Sequence, residues 1–179
     1  MLAPDLYSSS TAMKTILIYL LYIISAGSLA ACSPARPAAA QTPVHWTIAP
    51  LRGALQGGAV ANVRIDAKIQ DGWHIYSITQ PAGGPIATRI TVPTGQPFVS
   101  AGDPAPSAAP RIAFDDAFQM NVQLHEKAVG FTVPVRFTGV PGSHTESIHV
   151  NVRYQACNAS LCFPPQTAKL VTPVSVEAR

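Results

Sequence analysis

Two cysteines, Cys157 and Cys162, are the residues of this chain best suited to chemistry. They lie in the segment Tyr154-Gln155-Ala156-Cys157-Asn158-Ala159-Ser160-Leu161-Cys162-Phe163-Pro164-Pro165. Asn158-Ala159-Ser160 has the composition of a turn. A spacer of this length lets the chain fold back and bring the two β-carbons within the ~3.5–4.5 Å that a disulfide requires. The ring closed by such a bond is short, and in the chain-entropy picture short loops stabilise least. The bond is therefore an inefficient staple and a suitable reversible switch. Pro164 and Pro165 have no backbone N–H to donate, so the chain leaving Cys162 cannot pair normally and its edge is open to another protein. The same residues also fit a purely structural disulfide in a small exported domain, and the hairpin alone leaves both readings open.

The third cysteine, Cys32, closes an address segment. Met13-Lys14 gives a short positive start, residues 15–31 are almost uninterruptedly apolar, and Pro-, Ala- and Ser-rich sequence follows. This is the pattern of an export signal, at residues 1–32. Residues 1–12, with Asp5 and three serines, do not suit the start of a signal, so translation is expected to begin at Met13. The apolar run is slightly short of the ~20 residues of a membrane span. Leu29-Ala30-Ala31-Cys32 resembles a bacterial lipobox, in which the cysteine takes a lipid and becomes the first mature residue. Ordinary signal cleavage and an uncleaved anchor are the alternatives, and all three place the domain outside the cytoplasm. With Cys32 lipidated, and Ser33 rather than Asp after it, the expected location is the periplasm, anchored to the outer membrane. An even pair of cysteines then remains in a compartment where disulfides persist.

The elements that must position the pair read as strands. Residues 33–43 form a low-complexity tether, and a single domain is expected over residues 44–179. Val63-Arg64-Ile65-Asp66-Ala67-Lys68-Ile69 alternates apolar and polar, the pattern of a half-buried strand. Asp71-Gly72 signals a turn into an aromatic strand, Trp73-His74-Ile75-Tyr76. Residues 131–137 alternate again, with Pro134 pointing to an edge position. Ile148, Val150, Val152 and Tyr154 mark another strand, and residues 170–176 a last one. Residues 81–85 read as a turn-rich loop and 102–110 as a mobile surface segment. With 17 prolines, 12 glycines and no helical period, the chain is expected to be all-β, an immunoglobulin-like antiparallel β-sandwich. Its net charge of +3 is scattered, with no basic run, which argues against nucleic acid as a partner.

The segment from Tyr154 to Pro165 resembles the active-site region of the N-terminal (alpha) domain of the thiol:disulfide interchange protein DsbD. Asp71-Gly72-Trp73-His74-Ile75-Tyr76 is similar to that domain's early strand, and Phe118 through Val133-Pro134-Val135 to its middle part. The likeness spans about residues 44–179. It implies an immunoglobulin-like periplasmic domain that takes electrons from a membrane-embedded donor and passes them to thioredoxin-like proteins, among them disulfide isomerases and those of cytochrome c maturation. It also implies roles. Cys162 corresponds to the cysteine that forms mixed disulfides, and Cys157 to its resolving partner. Tyr76 and His74 correspond to aromatic residues beside the pair, His74 standing where the family has tyrosine. Phe118 corresponds to a loop aromatic that caps the disulfide, with Asp115 and Asp116 in the same loop. The chain ends at Arg179 without the membrane and thioredoxin-like domains of full-length members, so either another protein is the expected electron source or the domain is recruited to a different task.

Other chemistries find less support. There is no C-x-x-C followed by a helix to acidify a thiol in the thioredoxin manner. No Lys, Arg or His flanks Cys162 in sequence, and Asp115 and Asp116, if near, would disfavour a thiolate. A thiol that reacts mainly inside an orienting complex is expected. The five histidines lack ligand spacing, so no metal and no cofactor are expected. Trp46 and Trp73 read as core residues. The competing reading is a lipid-anchored binding module whose disulfide is only structural.

Overall fold

The computed structural model describes residues 42–178, so the signal and lipobox assigned to residues 1–32, and the tether of residues 33–43 as far as residue 41, lie outside the described residues. Among the described residues, twelve strands follow one another. The first six are β1 (Val44–Ile48), β2 (Val60–Ile69), β3 (His74–Tyr76), β4 (Arg89–Thr91), β5 (Phe98–Ser100) and β6 (Ala105–Pro106). The others are β7 (Arg111–Asp115), β8 (Met120–Glu126), β9 (Ala128–Phe137), β10 (His144–Tyr154), β11 (Ala156–Cys157) and β12 (Gln166–Val176). Among the described residues there is no helix.

Alternation sets the layers. In β2, Val63, Ile65, Ala67 and Ile69 are buried while Arg64 and Lys68 face water. β2 pairs antiparallel with β9 so that Val63 opposes Val133, Ile65 opposes Phe131 and Ala67 opposes Val129. Two buried rows therefore line up on one face, and slipping the register by one residue would turn both outward. β1 closes one side of this sheet, and β5 and β6 pair with the far side of β9. The second sheet, β12-β10-β4, presents Ile148, Val150, Val152, Tyr154, Val174 and Val176. Both sets of side chains belong to one apolar core. The architecture is an immunoglobulin-like sandwich in which every strand pair is antiparallel. Each fully buried Val, Ile or Phe contributes about 1.5–3 kcal/mol, so the core supplies the platform on which the cysteines sit.

Two expectations are corrected. Pro134 does not lie on an edge strand, because β9 is flanked by β2 on one side and by β5 and β6 on the other. Ala101 N–H donates to the Pro134 carbonyl at 2.9 Å. In a strand a residue's N and C=O point to the same side, so the missing donor faces the break between β5 and β6. Residues 102–110 also do more than loop over the surface. They carry β6, and Ser107 holds Gly130 twice, N–H to carbonyl at 2.7 Å and Oγ accepting the Gly130 N–H at 3.0 Å.

A third sheet, β11-β3-β8-β7, carries the cysteine hairpin. β10 runs through Gln155 directly into β11, so the core strand delivers Cys157 to this sheet. The turn before β3 depends on Gly72 at φ +80°, a left-handed conformation that glycine adopts freely, and Trp73 N–H closes it on the Gln70 carbonyl at 3.0 Å.

Candidate functional site

Cys157 and Cys162 are joined in a disulfide with their α-carbons 4.0 Å apart. The turn between them is built by Asn158. Its Oδ1 accepts the N–H groups of Ser160 and Leu161 at 2.9 and 2.8 Å, and its own N–H donates to the Leu161 carbonyl at 2.8 Å. This is the local side-chain turn for which asparagine is favoured. Beyond Cys162 the prolines interrupt pairing until β12. The chain is held there by Phe163 N–H on the Ala156 carbonyl at 2.9 Å and by Phe163 stacked on Trp73 at 5.0 Å.

The two cysteines differ in exposure. Cys157 is 1% exposed and packs in a small apolar cluster with Tyr76, Val122 and Leu124. Cys162 is exposed at the end of the turn. Both line a cleft of about 530 Å³, together with His74, Tyr76 and the Asp115–Asp116 region.

Cross-strand register assembles the surroundings. His74 on β3 lies directly opposite Cys157 on one side and Glu126 on the other. Tyr76 is opposite Leu124, which is opposite Arg111 on β7. Arg111 makes a bidentate pair with Glu126 at 3.0 Å for both bonds. Tyr76 donates its hydroxyl hydrogen to Asp115 Oδ2 at 2.9 Å, and Asp115 Oδ1 accepts the Ala117 N–H at 2.9 Å. Burial, and then this bond to a carboxylate, push the Tyr76 hydroxyl well above its ordinary pKa. His74 is pushed below its ordinary value by burial, which outweighs the upward pull of Asp115 and Glu126; Arg111 adds a smaller downward push. The His74 ring meets the Tyr76 ring edge-on at 5.2 Å.

Phe118 sits in the β7–β8 turn, half-buried, with its ring edge-on to Tyr76 at 6.1 Å. It packs against the cluster that contains Cys157, but it is not part of the cleft wall; residues 113–117 supply that side. Asp116 is exposed at the cleft rim, its carbonyl accepting from Gln119 Nε2 at 2.7 Å. The structure thus brings Cys157, Cys162, His74, Tyr76 and Asp116 to one cleft and sets Phe118 behind Tyr76. Cys32 lies outside the described residues.

Sequence reasoning missed Arg111, Glu126, Phe114 and Leu161, all of which reach the cleft. Phe114 and Leu161 are 58% and 51% exposed, large apolar surface beside the disulfide. Ile112 and Phe114 alternate as an inward face would, and only the pairing of β7 at the sheet edge shows them turned to solvent. No group of three or more His, Cys, Asp or Glu among the described residues is arranged to hold a metal.

Comparison with curated proteins gives no match. Among solved structures, the N-terminal domain of Neisseria meningitidis DsbD in its reduced form is 14% identical, with a TM-score of 0.45 over 68% of this chain and 86% of that one. The N-terminal periplasmic domain of ScsB from Proteus mirabilis is also 14% identical, with a TM-score of 0.46 over 74% of this chain and 47% of that one. The chain therefore spans under half the length of the ScsB structure. The family model described as "Thiol:disulfide interchange protein DsbD, N-terminal" matches residues 53–173, which takes in every strand from β2 to the cysteine hairpin. The chain belongs to the family of DsbD N-terminal domains.

Proposed function

We propose that this domain is a thiol-disulfide relay, a protein-disulfide oxidoreductase that passes reducing equivalents between protein partners through reversible opening of the Cys157–Cys162 bond. The observation that carries the reading is the asymmetry of the pair: one cysteine is 1% exposed and the other stands open in a cleft with exposed apolar neighbours. A partner's thiolate reaches Cys162 and not Cys157. Attack on Cys162 Sγ forms a mixed disulfide, and the electron pair of the broken bond leaves on Cys157. A second partner thiol then reduces the mixed disulfide, leaving Cys157 and Cys162 as a dithiol. The reverse sequence delivers the two electrons to an acceptor disulfide. Phe114 and Leu161 give such a partner an apolar seat. The β7–β8 turn, with Asp116 at the rim and Phe118 behind Tyr76, is proposed to act as a lid.

The partners that suit this site are thioredoxin-like proteins outside the cytoplasm and a membrane-embedded electron donor; cytochrome c maturation is one pathway that would use such a relay. The address segment supports periplasmic export. We assign residues 1–32 as signal and lipobox, with lipid on Cys32 holding the domain to the outer membrane through the tether. A Cys157→Ser variant tests the relay. Expressed in a bacterial periplasm, it should accumulate a mixed disulfide through Cys162 with a thioredoxin-like protein, reversible by dithiothreitol. A variant that captures no protein, while Cys162→Ser also captures none, would leave the disulfide a structural bond in a binding module.

A further inference from the structure

His74 is directly opposite Cys157 across the β3–β11 pair. Residues so opposed hold their β-carbons about 4.5–5.5 Å apart on one face of a sheet, and both line the cleft that opens on Cys162. The other polar groups facing this position are engaged. Tyr76, on the same strand, donates to Asp115 of β7, whose second oxygen takes the Ala117 N–H. Glu126 of β8 takes both bonds from Arg111 of β7. His74 Nε2 is the exception, since it is buried and has no hydrogen-bond partner. Buried polar atoms without a partner are uncommon, and a redox or catalytic role is one recognised reason for retaining one.

Reduction of the disulfide adds a donor to the residue opposite His74. A disulfide sulfur has no hydrogen to donate, whereas the Cys157 thiol has one. That thiol lies in the apolar cluster of Tyr76, Val122 and Leu124, surroundings that raise a thiol's pKa and hold it in the unreactive protonated form. It needs a base before it can act as a nucleophile. Resting on the relay reading above, we infer that His74 is that base, its Nε2 taking the proton from Cys157 Sγ as the disulfide closes.

The step is as follows. In the mixed disulfide with an acceptor protein, Cys162 Sγ is bonded to the partner's sulfur. Cys157 gives its proton to His74 Nε2 and its sulfur attacks Cys162 Sγ. The Cys157–Cys162 bond forms as the bond to the partner breaks, and the electron pair of the broken bond leaves on the partner's thiolate. That thiolate takes up a proton from solvent, and His74 returns its own. Both sulfurs of this domain are then oxidised, and the partner's disulfide has become a dithiol. Burial serves the role, because it keeps the imidazole in its neutral, proton-accepting form down to pH values below its ordinary pKa.

Reaction of the reduced full chain, carrying Cys32→Ser, with the aromatic disulfide dithiobis(nitrobenzoate) separates the two steps. The first thionitrobenzoate is released by Cys162, the second by ring closure through Cys157. In the wild-type hairpin the ring-closure rate should hold level near neutral pH and fall only below about pH 6.5, as the histidine protonates. His74→Phe should slow ring closure at neutral pH about a hundredfold relative to the first release, the low end of general-base contributions. Its rate should then rise with pH as a thiol titrates. His74→Tyr, which keeps a ring and a polar tip without a base, should behave the same way. Ring closure with the wild-type rate and pH profile in either folded variant would overturn the role of His74, as would a wild-type profile that follows thiol titration alone. A second release whose rate depends on reagent concentration means that no ring closes, and it would overturn the relay reading itself whatever His74 does.

Discussion

Tyr76 donates its hydroxyl hydrogen to Asp115 Oδ2 at 2.9 Å, joining the strand beside Cys157 to the base of the β7–β8 turn. The bond is between a 1% exposed tyrosine and a half-buried carboxylate. Tyr76→Phe keeps the ring and removes only the donor. Bonds to charged groups are worth about 1.5–3 kcal/mol, so urea unfolding should show a loss of that size. A variant as stable as wild type would mean that Asp115 finds water equally well, and that the turn is not held by this bond.

The same turn carries Phe118, whose ring rests edge-on against Tyr76 at 6.1 Å. Phe118→Ala should loosen the cluster that holds Cys157 and raise the rate of disulfide reduction by dithiothreitol several-fold, with the strands intact by circular dichroism. Equal rates would assign the shielding of the bond to residues 113–117, which form the cleft wall.

Burial lowers the pKa of both His74 and His125 below the ordinary 6.5. The unfolded chain therefore binds these protons more readily than the folded one. Stability is therefore full above about pH 6.5 and is lost as pH falls toward the folded-state values, at up to about 1.4 kcal/mol per pH unit for each histidine. His125 meets Phe131 edge-on at 5.9 Å, and its Nε2 is buried without a partner. His125→Leu should flatten the acid side of the stability curve measured by denaturation between neutral and mildly acid pH. An unchanged slope would show that His125 takes up its proton as readily in the folded state as in the unfolded chain.

The fold was legible where each strand carries its own pattern. Val63 to Ile69 and Ile148 to Tyr154 alternate because each buries one face, and the structure keeps those faces. Pro134 misled because a missing donor marks a gap in the neighbouring strand as well as an edge, and only the β5–β6 break distinguishes the two. The cysteine hairpin was legible because Asn158, the two cysteines and the prolines are all local. The polar ring around it was not. Arg111 and Glu126 reach the site, and Asp115 its bond from Tyr76, through the registers of β3, β8 and β7, which are set by packing across the sheet and leave no mark in any one segment.

The reduction potential of the Cys157–Cys162 couple, measured by equilibration with glutathione or dithiothreitol buffers, tests the relay most directly. A relay must exchange with other protein dithiols, so the potential should lie above about −300 mV, within reach of the known oxidoreductase couples. A value well below about −300 mV, where structural disulfides lie, would contradict the account and leave Cys157 and Cys162 a fixed staple of the hairpin.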